Sequence, residues 1–279
     1  MTAPGGRLAT ALLLLPAMSL LGLGFAVPLL RLAGLSLSAA AGPLAPYREL
    51  LGHAVYYRVF VTTVGYALAV TAIDLVGGYV LALSLARLSP SRRRWLFVCV
   101  LMPLWISVLV RSFAWILLLE RRGPINRALL AGGLVQAPLP MLFNSFSVLV
   151  GMTHLLLPYA VLPIYAALVR IDPALLRASE GLGAGAAMTF RRVLLPLSAH
   201  GVGTAATFLF LLSLGFFVTP ALLGGAGDIT LAMLIDSFVS DQLNWPLGAA
   251  ASMLLLAATF AMLALARRFV AAATFAEVR

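Results

Sequence analysis

Apolar residues run along this chain in long uncharged stretches, separated by short segments where arginine gathers. Leu8–Leu30 carries no charge over 23 residues, close to the ~20 needed to cross a bilayer as a helix. It is too long for the 7–15-residue core of a cleaved leader, so it reads as an uncleaved first span. Residues 34–58, with Pro43 and Pro46, read as a polar connection. Val59–Ala86 is the second span, interrupted only by Asp74, and a basic turn, RLSPSRRR at 87–94, follows it. Trp95–Leu119, carrying Arg111, predicts the third, and 120–138 a loop turning at Gly123–Pro124. The uncharged run 139–169 holds the fourth, with Pro158 and Pro163 as expected kink points. Residues 193–227 are long enough for a fifth span plus a re-entrant or surface extension; 228–241 is acidic and amphipathic; 242–266 holds the sixth.

Between the fourth and fifth runs lies DPALLRASEGLGAGAAMTFRRVLLPL, residues 172–197. Asp172 before Pro173 is a helix start, because the carboxylate can accept from a free N–H and proline tolerates the first helical position. Gly183 supplies the stop, since glycine adopts the left-handed conformation that closes a helix. The prediction is a helix over 173–182, a second short basic segment over 184–192, and a return to apolar sequence through Val193, Leu195 and Pro196. Leu175, Leu176 and Leu182 on such an elbow need cover. The pattern alone leaves two kinds open: a partner's groove, or the membrane interface beside the flanking arginines.

Composition agrees with the pattern. The chain has 279 residues, 62% of them hydrophobic and only 10% charged, against about 45–50% and 25% in soluble domains. The net charge is +10 and every basic residue is arginine. These arginines sit at the ends of apolar runs rather than in one stripe, which argues against nucleic acid and for a topology role. With the amino terminus inside, the inner segments hold Arg7, Arg87, Arg92–Arg94, Arg170, Arg177, Arg191, Arg192, Arg267, Arg268 and Arg279. The outer ones hold Arg31, Arg48, Arg58, Arg111, Arg121, Arg122 and Arg127. The bias places the elbow and both termini in the cytoplasm. The lone Cys99 rules out an internal disulfide, no Cys/His spacing suits a metal, and no cofactor is implied.

The chain has no G-x-x-x-x-G-K-[ST] stretch and no lysine, and Gly224–Gly227 reads as a flexible turn. Any energy from ATP must therefore arrive through a separate subunit. Asp74, inside a span, should face the bundle interior or an aqueous path, as a cation or proton site or as a structural hydrogen-bonding group. His154 in the fourth span carries the same two readings, and His200 reads as packing or interfacial. Arg111 is close enough to the outer interface to snorkel, with Trp115 as its anchor, or else lines a pathway. Asp228, Asp236 and Asp241 make an acidic outer segment suited to a binding-protein contact, a cation funnel or plain solvation.

The 172–197 stretch resembles the coupling loop of type I ABC importer permeases, whose signature is Glu-Ala-Ala, three residues, Gly, nine residues, Ile-x-Leu-Pro. Gly183, Val193, Leu195 and Pro196 fall at that spacing, while Arg177, Ala178 and Ser179 occupy the Glu-Ala-Ala positions. The missing glutamate removes any ion pair it makes in the family. LVRSFAWILLL (109–119), LPIYAALVRIDPALL (162–176), FVTPALLGG (217–225) and NWPLGAA (244–250) are similar to the spermidine/putrescine branch. The resemblance implies an all-α, six-span permease of a bacterial inner membrane. Its first span and N-terminus would be 1–33, its core 59–266 with the coupling loop at 170–192, and its cytoplasmic tail 267–279. It implies that Asp172, Phe190 and the motif positions serve ATPase coupling, and that the chain is no enzyme. Implied partners are cytoplasmic ATPases, a second permease subunit, a periplasmic solute-binding protein and membrane lipid. The alternatives are an ABC permease for another small solute, or a proton-coupled secondary transporter using Asp74 and His154.

Overall fold

The computed structural model describes residues 4–276, with side chains over 13–264. The side chains of Arg7, Arg267 and Arg268, and all of Arg279, lie outside the described residues. Regular structure among the described residues is entirely helical. The first helix, α1, is Pro4–Ser36, longer than the 8–30 run because helix formation continues past the apolar stretch at both ends. The supposed polar connection contains α2, Ala45–Gly52, whose Pro46 suits a first turn. The second span, α3, is Ala54–Arg87 and takes Arg58 into its first turns.

The third expected span, 95–119, is broken. It is two helices, α4 (Pro90–Trp105) and α5 (Val108–Leu119), with a bend of 104° between Pro90–Trp105 and the segment Val108–Ala131. Pro103 sits in the last turn of α4, and Ile106 and Ser107 are both extended, so the helical ladder stops there. The loop at 120–138 holds a further helix, α6 (Pro124–Ala131). Asn126, fully buried, pins that loop by donating to the Glu120 and Leu139 carbonyls and accepting from the Leu139 N–H.

The fourth span is α7, Ser145–Leu168, continuous through both prolines and started by a capping box between Asn144 and Ser147. Then come α8 (Pro173–Gly181), α9 (Ala186–Thr189), a π-turn at Phe190–Leu194, α10 (Leu195–Leu197) and α11 (Ala199–Leu214). Residues 186–197 meet α11 at a 67° bend. The outer extension is α12 (Val218–Leu223), and α13 (Leu231–Asp236) continues as a second π-turn, Ser237–Asp241. The last described helix is α14, Trp245–Ala276. Among the described residues four helices are long and apolar enough to cross a membrane alone, or up to six crossings if each bent pair is one span.

The helices divide into two compact units. The smaller comprises residues 1–57 and 234–258. Its core joins Leu50 of α2 to Phe238 and to Leu247, Ala250 and Ala251 of α14. Tyr56 meets Phe238 edge-on at 5.6 Å, and Ser36 and Tyr47 hydrogen-bond at 2.7 Å. The larger unit, residues 58–233 and 259–279, is organised by α7. On one side α3 presents Ala67, Val70, Asp74, Gly78 and Ala82 at helical spacing, all but solvent-free. On another, Gly201 of α11 lies against Ala167 and the Pro163 carbonyl.

Lipid tails remove the usual hydrophobic drive between helices, so close approach at small residues carries the packing. A Cβ added at Gly78 would stand 2.5 Å from the Ala160 Cβ. Gly78→Leu is therefore expected to destabilise by about 1–3 kcal/mol, the range for overpacking. Gly65→Ala, in open space on the same helix, should be neutral or slightly stabilising. Thermal unfolding in detergent separates them, and equal midpoints would contradict this packing.

Candidate functional site

The elbow forms where local chemistry directs it. The Asp172 carboxylate accepts from the Ala174 N–H at 2.8 Å, starting α8 one residue before Pro173. At the other end Gly183 has φ +80°. The Ala184 N–H donates to the Ser179 carbonyl and the Gly183 N–H to the Glu180 carbonyl, the paired closure that a left-handed residue permits. Ser179 and Thr189 then join the two arms through their hydroxyls at 2.9 Å.

The second arm is tied to α3. Phe190 meets Tyr79 edge-on with ring centroids 5.4 Å apart, and the Tyr79 and Ser198 hydroxyls lie 2.9 Å apart. In the π-turn the Leu195 N–H reaches back five residues to the Phe190 carbonyl. Such turns are uncommon and often mark functional positions. Leu176 is half-buried against the core containing Tyr79 and Leu85, which corrects the expectation that it is exposed with its neighbours. No residue of α8 is fully buried, and Leu182 is 89% exposed. Leu175, Met188, Arg177, Ala178, Leu195 and Pro196 are exposed as well, with Val193 half-buried.

A second cluster joins α5 to α7. Arg111 and Trp115, one turn apart, share a face. The Trp115 Nε1–H donates to His154 Nδ1 at 3.2 Å with the rings edge-on, so any proton on a neutral His154 sits at Nε2. Arg111 departs from a snorkelling arginine: its Nε and Nη1 are buried and lack a hydrogen-bond partner. Asp74 is apart from any open surface of the chain, 1% exposed, with Oδ2 unpartnered. Among the described residues no group of three His, Cys, Asp or Glu side chains is placed to hold a metal.

The acidic segment does not behave as one feature. Asp236 and Asp241 are exposed, but Asp228 is 6% exposed and heavily engaged. Its Oδ1 accepts from the Tyr66 hydroxyl and from Ser145 Oγ (2.6 Å), and its Oδ2 from the Gly225 N–H at 2.8 Å. Nearby, Thr63 Oγ1 accepts from the Leu231 N–H and Ser147 Oγ donates to the Leu223 carbonyl. Gly225 lies so close to the Phe143 carbonyl that a Cβ there would clash. The sequence reading missed this latch. The Asn-Ser-Phe-Ser run at 144–147 was its one local signal, and that marks a helix start, not a carboxylate partner.

Apolar helices long enough to cross a bilayer, joined by an exposed elbow, define a membrane-embedded helical protein. The fold is similar to that of a chain in a bacterial ABC transporter involved in the import of the acidic polysaccharide alginate, with TM-score 0.75 and 16% identity over 94% of each chain. Residues 75–274 match the family of binding-protein-dependent transport system inner membrane components, and the chain belongs to that family. It is 32% identical over 200 residues to the spermidine/putrescine transport system permease protein PotB of Escherichia coli (strain K12), covering 72% of this chain and 73% of the relative. The protein of the same name in Haemophilus influenzae is 34% identical over 182 residues, 65% of this chain and 64% of that one. The chain is thus a multi-pass inner-membrane permease subunit with the type I ABC importer fold, and not an enzyme.

Proposed function

We propose that the chain forms half of the translocation path of an ATP-driven polyamine importer, with the 172–196 elbow as its contact to a cytoplasmic ATPase. The observation that carries the ATPase contact is the elbow itself: capped at both ends, tied to α3 through Tyr79, yet leaving Leu175, Leu182 and Met188 uncovered. Apolar side chains held rigidly in that way suit a partner's groove. Asp172, Arg177, Ala178, Ser179, Gly183, Phe190, Val193, Leu195 and Pro196 are the proposed coupling positions. Arg177 then meets a surface on the ATPase that differs from one built for glutamate.

The elbow faces the cytoplasm in this reading, with both termini inside. A second permease subunit completes the path: α1 exposes Leu20, Leu23 and Phe25, and the described part of its apolar stretch has no buried residue within this chain. Arg111, Trp115 and His154 are the proposed path residues of this half, with Asp74, 1% exposed within this chain, as a further candidate. Asp236 and Asp241 remain for contact with a periplasmic solute-binding protein. Spermidine and putrescine are the proposed solutes, on the strength of the two relatives' names. Solute drives the cycle only through different affinity for the outward- and inward-open states.

The test is co-purification from native membranes. Leu182→Asp, at an exposed position, should leave insertion intact and lose a co-purifying ATPase subunit that the wild type retains. Retention of that subunit by the variant would remove the elbow from the contact. Transport persisting on a proton gradient without ATP would favour the secondary-transporter reading instead.

A further inference from the structure

Beside the elbow, an apolar groove of about 430 Å³ runs along α3. Val76, Val80 and Leu83 form one wall and Phe190 and Leu195 the other, with Arg87 at its end. The polar atoms in the walls are already engaged: the Tyr79 hydroxyl with Ser198, and Ser84 Oγ with the Val80 carbonyl. Along its length the groove offers a small polar solute no free partner short of Arg87. The groove extends from Leu75 to Arg87, about 18 Å at ~1.5 Å of helix rise per residue. One leaflet's hydrocarbon is about 15 Å deep, half of the ~30 Å core. An apolar slot one leaflet deep, with a guanidinium at its end, has the dimensions of a lipid chain below its headgroup.

The charge around Arg87 selects the kind of lipid. Arg87 is the one charged residue lining the groove, Arg92, Arg93 and Arg94 follow it along the chain, and among the described residues no ion pair joins Arg87 to Asp172 or Glu180 of the elbow. A guanidinium pairs well with phosphate oxygens. A zwitterionic headgroup would bring its own cation to the same arginines.

We infer that this groove binds one anionic diacyl phospholipid, its acyl chain between α3 and the π-turn of the elbow and its phosphate at Arg87. Assignment to the inner leaflet rests on the orientation proposed above, but the binding does not. A chain seated there touches Phe190 and Leu195 directly, so anionic lipid would bear on the segment proposed to carry ATPase motion.

Native mass spectrometry of the delipidated full-length protein in detergent tests this, titrated with phosphatidylglycerol or with phosphatidylcholine of the same chains. The wild type should retain one phosphatidylglycerol with about fivefold preference, the equivalent of about 1 kcal/mol for one arginine near anionic lipid. Arg87→Gln should bring the preference to about one. Val80→Trp, at a position that is 61% exposed and therefore tolerant, should fill the groove and lower retention of both lipids. Equal retention of the two lipids by the wild type would overturn the inference. So would unchanged phosphatidylglycerol binding in either variant, since headgroup and chain must both be held here. None of these readouts involves ATP or uptake, so loss of the importer reading and loss of the lipid site are separate results.

Discussion

Gly183→Pro is expected to abolish ATP-driven uptake while leaving the amount of protein in the membrane unchanged. Gly183 has φ +80°, and proline is confined to about −65°. Proline also lacks the N–H that Gly183 donates to the Glu180 carbonyl. The closure of α8 is lost, and with it the angle between the arms that Ser179 and Thr189 bridge. A docking contact weakened by only about 1.4 kcal/mol associates tenfold less well, and here its geometry is destroyed. Gly183→Ala should be intermediate, because alanine reaches the left-handed region at a cost of about 1–2 kcal/mol and keeps its N–H. Uptake and solute-stimulated ATP hydrolysis in reconstituted vesicles measure both variants. Uptake by the proline variant at the wild-type rate would refute the coupling role of this segment. The spans pack without help from the elbow's exposed face, so insertion should persist.

The second large effect is at Asp228. Its carboxylate gathers the Tyr66 hydroxyl, Ser145 Oγ and the Gly225 N–H, joining α3, the start of α7 and the loop after α12. Asp228→Asn turns one acceptor into a donor and removes the charge, so an N–H faces the Gly225 N–H or the two hydroxyls lose their acceptor. Hydrogen bonds to a charged group are worth about 1.5–3 kcal/mol each, and the expected loss is about 3 kcal/mol. Burial by itself pushes the Asp228 carboxyl up, but the donors from Ser145, Tyr66 and Gly225 outweigh it and hold the group below its ordinary value. The folded form therefore binds its proton less readily than the unfolded chain. The stabilisation is complete above the ordinary aspartate value of about 3.9 and is lost as pH falls through the lower folded value. Thermal unfolding in detergent should show a wild-type midpoint that drops below about pH 4 and an Asp228→Asn midpoint that lacks this component. Equal midpoints at pH 7 would show that the latch carries no stability.

Much of the site was legible because its determinants lie within a few residues of one another. Asp172 and Pro173 start a helix and Gly183 stops one regardless of the rest of the fold, and both act as read. Asp228 was misread for the opposite reason. In an uncharged neighbourhood an aspartate near two others looks like part of a solvated acidic segment, while its partner Tyr66 lies 162 residues away. Trp115 and His154, from different helices, likewise meet only after α5 is turned onto α7. The break at Ile106 had a local sign in Pro103, but hydropathy averages over a window and ran straight across it.

The sequence by itself determined that this chain lives in a membrane and where the helix of its exposed elbow begins and stops. Length of apolar run, arginine placement and helix capping are short-range quantities, and a bilayer admits few ways to satisfy backbone polar groups. Only the tertiary structure decided which polar side chains are sealed inside. It buried Asp228 and Asp74, exposed Asp236 and Asp241, bent the third passage, and set Phe190 across Tyr79 to leave a groove beside it. Those outcomes depend on which helix faces which, and that is settled by close contacts such as Gly78 on Ala160 and Gly201 on Pro163, between residues remote along the chain.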